Sequence, residues 1–126
     1  MSARLLSLAL SLPMIAFSPT TEAASSSQPV AEIVTYRLNA GVSQEDHLSA
    51  ANATRAFLNE TGSVITRTLS VDETGLWTDH IIWTSLEAAK AAEAQAMQRP
   101  EFGVFFSGMD ETSVSLRHTT ILMQME

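Results

Sequence analysis

The sequence predicts an α+β domain with the element order β-α-β-β-α-β, and three observations predict it. Four segments rich in β-branched and aromatic residues are bounded by turn residues. Two helix-forming segments, each preceded by a capping serine, follow the first and the third of them. Glycines and Asp-Glu-Thr tripeptides stand where the chain has to reverse.

The elements follow in order. "VAEIVTYRL" (Val30 to Leu38) reads as the first strand, ended by "NAG". Ser43 caps the first helix, with Asp46 three residues on, close to a capping box. Leu48, Ala51, Arg55 and Leu58 recur at helical spacing with Phe57 beside them, and Gly62 suits the C-terminal turn. "SVITRTLSV" (Ser63 to Val71) is the second strand, "DETG" (Asp72 to Gly75) a hairpin turn, and "LWTDHIIWT" (Leu76 to Thr84) the third strand. Ser85 caps an alanine-rich helix, Leu86 to Gln98. Pro100 interrupts it, and Glu101 to Met109 makes a further short helical turn. Asp110 to Met125 opens with a turn and becomes the fourth strand.

Right-handed crossovers turn this order into a ferredoxin-like sheet of four antiparallel strands, spatial order 4-1-3-2, with both helices on one face. Side chains alternate between the faces of a strand. Trp77, Asp79, Ile81 and Trp83 therefore share one face, and Leu76, Thr78, His80 and Ile82 the other. Neither face is uniformly polar. Helices cover one, and a second copy is expected to cover the other, which makes the unit a homodimer with two sheets packed into a shared barrel.

Residues 1–23 read as a secretory signal peptide: Arg4 opens, Leu5 to Phe17 is apolar, and Thr21 and Ala23 are the small residues at the cleavage positions. The apolar run falls short of the ~20 residues that span a bilayer. Residues 24–29 read as a disordered lead-in and residues 30–126 as the domain. The expected location is periplasmic or secreted; retention of the segment as an anchor stays open. The net charge is −7, so neither nucleic acid nor, after cleavage, a membrane surface is an expected partner. The chain has no cysteine, which excludes disulfides and thiol chemistry. No nucleophile elbow, phosphate loop or dinucleotide fingerprint is present.

"EIVTYRLNAG", "ITRTLSVDETGLWTDHIIWTSLEAAKAA" and "FFSGMDETSVSLRH" together resemble the dimeric α/β-barrel superfamily, and within it the antibiotic-biosynthesis-monooxygenase-like domains. The step "WTSLEAA" from strand into helix is typical of them. The resemblance implies a dimeric α/β barrel binding a small apolar or aromatic molecule, and a cofactor-free oxygenase if it is an enzyme. It does not imply haem degradation. The haem-degrading branch uses an asparagine, a tryptophan and a histidine where this chain has Tyr36, Ala92 and, near the third position, Phe102.

Tyr36 and His118 are the candidate catalytic residues. The histidine has a near-neutral ordinary pKa suited to a general base, and the tyrosine can orient a phenol or carbonyl. Each also has a structural reading, as a core tyrosine and a histidine at a sheet edge. Trp77, Asp79, His80, Trp83, Phe102 and Phe105 are the candidate ligand-binding residues. The tryptophans offer flat faces for an aromatic ring, or else fill the core. Asp79 and His80 are adjacent and point to opposite faces, so they form no dyad. Asp79 is placed to pair with Arg37 or Arg67, or to accept from an indole N–H. Three scattered histidines without H-x-H or H-x-x-x-H spacing predict no metal, and no cofactor is expected. The rival readings are a non-catalytic periplasmic ligand-binding module and a structural homodimer with a fully packed interior.

Overall fold

The computed structural model describes residues 28–126. The expected signal peptide and most of the lead-in lie outside these residues. The described chain runs β1 (Val30–Tyr36), α1 (Gln44–Ala53), α2 (Arg55–Glu60), β2 (Val64–Val71), β3 (Trp77–Trp83), α3 (Leu86–Ala96), α4 (Pro100–Ser107), a 3-10 turn (Glu111–Ser113) and β4 (Ser115–Thr120). The strands form one antiparallel sheet in the order β2-β3-β1-β4, which is the predicted order read from the other edge.

The capping serines act as their positions require. Ser43 Oγ accepts from the Asp46 amide at 3.0 Å, and Ser85 Oγ from the Ala88 amide at 3.1 Å. The two Asp-Glu-Thr turns share one device. Asp72 Oδ1 takes the amide and hydroxyl of Thr74, and Asp110 Oδ1 takes those of Thr112. Gly62 and Gly75 have φ of 65° and 85°, the left-handed region that a side chain disfavours.

Two elements differ from expectation. The first helix breaks at Thr54 instead of running on to Asn59, because the Thr54 hydroxyl donates back to the Ala51 carbonyl at 2.6 Å. The inward stripe turns with it: His47, Ala51, Phe57 and Leu58 are buried, while Leu48 is half exposed. The fourth strand ends at Thr120 rather than near Met125. Its partner β1 begins at Val30, and Leu122, Met123 and Met125 run on exposed.

One face of the sheet carries the core in cross-strand rows. Tyr36 stands opposite Trp77, Val34 opposite Asp79 and Leu116, Glu32 opposite Ile81 and His118, and Val30 opposite Trp83 and Thr120. Ala51, Phe57 and Leu58 of the first two helices pack on this face, as do Ala89, Ala92 and Ala96 of α3 and Phe102 and Phe105 of α4. Burying each large side chain contributes about 1.5–3 kcal/mol. Alanines at the α3 contact let that helix lie close to the sheet. The opposite face carries Ala31, Ile33, Thr35, Thr78, His80 and Ile82. No helix among the described residues is long and apolar enough to cross a membrane.

Candidate functional site

A largely apolar cavity of about 650 Å³ opens between the core face of the sheet and α3 and α4. Trp83, Phe102, Phe105, Phe106 and Met109 wall it on the apolar side. Glu32, Arg67, Asp79 and Glu93 bring charge to it. The interior among the described residues is therefore not fully packed.

Arg67 and Asp79 hold the sheet side of the cavity. Nε and Nη2 of Arg67 donate to the two carboxylate oxygens of Asp79 at 3.0 and 2.8 Å. Nη1 of Arg67 donates to the Thr54 hydroxyl at 2.7 Å, at the break between α1 and α2. Asp79 thus pairs with Arg67, one of the two arginines the sequence offered. Both its oxygens are taken there, and it accepts nothing from an indole. Trp83 Nε1 is buried with no partner among the described residues.

A second charged group lies beside the same cavity. Glu32 from β1 and Glu93 from α3 both line it. His118 Nε2 sits 2.7 Å from Glu93 Oε1 and 3.3 Å from Glu32 Oε2. Burial is the main reason that the Glu32 carboxyl is pushed up to about 8, reinforced by its hydrogen bond to Glu93 and the charges of Glu93 and Asp79. At neutral pH Glu32 therefore holds its proton most of the time.

The expected residues separate into two groups. Asp79, Trp83, Phe102 and Phe105 line the cavity, and His118 reaches it through Glu32 and Glu93. Tyr36, Trp77 and His80 do not. Tyr36 is fully buried, its hydroxyl 2.6 Å from His47 Nε2, in a box with Trp77 and Phe105. Burial raises the Tyr36 pKa and lowers that of His47, so both are neutral near pH 7. Gly108 permits this fit, since a Cβ there would lie 3.2 Å from His47 Nδ1. His80 points to the opposite face, facing Ile33 across the strands, and shares no site with His118.

Glu32 and Glu93 are the residues that reading the sequence missed, and His47 entered it only as one of three scattered histidines. Glu32 carried a signal. It has the strand parity of Val34 and Tyr36 on a central strand, where a carboxylate has to be buried.

No family model matches the chain, and no curated protein matches it. Solved structures do. SnoaB, a cofactor-independent oxygenase from Streptomyces nogalater, is similar with a TM-score of 0.65 at 15% identity, over 77% of this chain and 96% of its own. A Bordetella bronchiseptica protein described as an antibiotic biosynthesis monooxygenase gives 0.64 at 12% identity, over 76% of this chain and 99% of its own. A hydroxynitrile lyase from Passiflora edulis gives 0.55 at 14% identity, over 79% and 98%. At such identities the likeness is one of architecture, and different chemistries share it. The chain carries the ferredoxin-like fold of the antibiotic-biosynthesis-monooxygenase-like domains.

Proposed function

We propose that this domain binds a planar, largely apolar aromatic molecule in the cavity and oxygenates it without a cofactor. The carrying observation is the cavity itself: about 650 Å³, walled by Trp83, Phe102 and Phe105, with carboxyl groups at one side. A polycyclic quinol suits this arrangement, because such a substrate supplies its own electrons. Loss of a phenolic proton raises electron density at a ring carbon. That carbon reduces dioxygen and forms a C–O bond to it as a hydroperoxide. Cleavage of the O–O bond then leaves one oxygen on the ring and releases the other as water. Quinol plus dioxygen becomes hydroxyquinone plus water, with no external reductant.

Glu32 at the cavity wall takes the phenolic proton on this reading in the minority of molecules in which it is ionised, a fraction that grows as pH rises towards 8, with His118 and Glu93 behind it. Tyr36 has no such place. Its hydroxyl is committed to His47 outside the cavity lining.

The unit acts as an exported homodimer on this reading. The leader-like segment at residues 1–23 supports export. Ile33, only partly buried on the sheet face opposite the helices, supports pairing.

The test is oxygen uptake by the purified protein with a panel of anthracene and naphthalene quinols. Uptake matched one to one by hydroxyquinone, lost in Glu32→Gln, is expected. A quinol that binds with micromolar affinity and stays intact under oxygen would leave a binding module in its place.

A further inference from the structure

Glu32, Glu93 and His118 belong to three separate elements, β1, α3 and β4, yet one donor atom from each lies within 4.8 Å of the others. The sheet register fixes two of them, since Glu32 and His118 face each other across β1 and β4. Helix α3 brings the third down onto that pair. The group is poor in positive charge. Among the described residues, His118 is the one basic side chain that meets either carboxylate. Arg67 is spent on Asp79, and Lys90 lines the cavity without an ion pair.

Trp83, on a different strand, lies beside this group. Trp83 lines the cavity at 2% exposure, and its Nε1 has no acceptor among the described residues. Trp83 and Glu32 are diagonal neighbours on one face of the sheet, since Val30 pairs with Trp83 and Glu32 with Ile81. A buried indole N–H ordinarily finds a partner.

We propose that Glu32, Glu93 and His118 ligate a divalent transition-metal ion of the zinc type, with its remaining positions open to the cavity. An imidazole with two carboxylates suits zinc, cobalt or iron(II), whereas magnesium and calcium take oxygen ligands. Three protein ligands with an open position form the pattern of a reactive rather than a structural zinc site. Donors at tetrahedral zinc stand about 3.3 Å apart for bonds of about 2.0–2.2 Å. The His118–Glu32 contact already has that spacing, at 3.3 Å. The His118–Glu93 contact, at 2.7 Å, opens by rotation of the Glu93 side chain, which is 35% exposed. The rival arrangement is a protonated His118 held between the two carboxylates. This inference goes beyond the oxygenase reading, which needs no metal. A bound ion takes one Glu32 oxygen and lowers the basicity of the other, so metal binding and proton uptake by Glu32 compete.

The experiment titrates the chelator-treated full-length domain with Co²⁺ and Zn²⁺, following cobalt absorption and heat. Saturable binding of one ion per chain at micromolar concentration is expected. It should weaken about tenfold or more in Glu32→Gln and in His118→Gln, the scale of loss seen even for disturbed outer partners of a metal site. His80→Gln, on the opposite face, should bind as the parent does. If Glu32→Gln fails to fold by circular dichroism, Glu93→Gln replaces it. No binding below millimolar concentration, or binding that survives both ligand substitutions, overturns the proposal. No substrate enters the assay, so a negative result leaves the oxygenase reading standing, and absence of oxygenation leaves this one standing.

Discussion

Arg67 grips Asp79 with two parallel hydrogen bonds across neighbouring strands, and the same guanidinium reaches Thr54 where α1 gives way to α2. Their side chains are 15% and 6% exposed. One residue therefore ties the β2 edge of the sheet to the helical layer at the floor of the cavity. A pair this deep is not chiefly a source of stability, since desolvation offsets much of its attraction. Its value lies in fixing position, and the cost falls on whichever partner is left alone.

Asp79→Ala should therefore destabilise the domain by about 3–5 kcal/mol, because it strands a buried guanidinium. The double variant Asp79→Leu with Arg67→Met should lose far less than the sum of the single changes. Urea denaturation of the parent, Asp79→Leu, Arg67→Met and the double variant measures this. Additive losses would show that the two residues act separately.

Tyr36→Phe removes the hydroxyl that meets His47 Nε2 at 2.6 Å and leaves that nitrogen buried without its partner. The expected loss of stability is about 1–3 kcal/mol. Affinity for ligands in the cavity should stay unchanged, since Tyr36 is not part of its wall. A variant of parental stability with impaired turnover would return Tyr36 to the chemistry.

Glu32 makes stability depend on pH in an unusual direction for a carboxylate. Its pKa is about 8 in the folded chain against an ordinary 4.5, with Glu93 of α3, His118 of β4, and Asp79 and Arg67 across the sheet around it. The folded state keeps a proton that the unfolded state has given up. This contribution is fully present below about pH 4.5 and is lost as pH rises through about 8. Glu32→Gln, which mimics the protonated form, should match the parent in acid. At pH 9 it should exceed the parent by several kcal/mol, at about 1.4 kcal/mol per unit of the gap. Thermal melts with chelator present measure it, and an equal gap at both ends of the pH range would contradict the assignment.

The regularity of each element decided what its sequence could reveal. Strand β3 is central and unbroken, so simple alternation put Trp77, Asp79, Ile81 and Trp83 together on one face, and the packing of the helices makes it the core face. Helix α1 is short, and its stripe is polar: the buried positions are His47 and Ala51. Apolar periodicity picked out Leu48 instead, because it weighs side chains by hydrophobicity and cannot see that Tyr36 offers His47 a partner. The separation of Tyr36 from the cavity was likewise invisible. Tyr36 and Asp79 share a face, and which stretch of that face the helices press shut depends on where α4 lands after Pro100. The Glu32–Glu93–His118 group needs contacts between elements that lie far apart along the chain, and no local spacing encodes these.

Trp83 provides the sharpest separation between folding and ligand binding. Its indole is 2% exposed, so its ring contributes a large buried area to the core. Its Nε1–H has no acceptor among the described residues, and an unpaired buried donor costs about 1–3 kcal/mol. Trp83→Phe removes that penalty while losing part of the ring's packing. The two effects oppose, and stability should change by less than about 1.5 kcal/mol. An oxygen-bearing ligand that accepts from the indole loses that bond in the variant, and its affinity should fall about five- to tenfold for a hydrogen bond of about 1 kcal/mol or slightly more. A ligand with no acceptor loses only contact area. Calorimetric titration with a matched pair, an aromatic hydrocarbon and its quinol, reads the difference directly. If both bind the variant with the same proportional loss, the indole N–H makes no contact with the ligand.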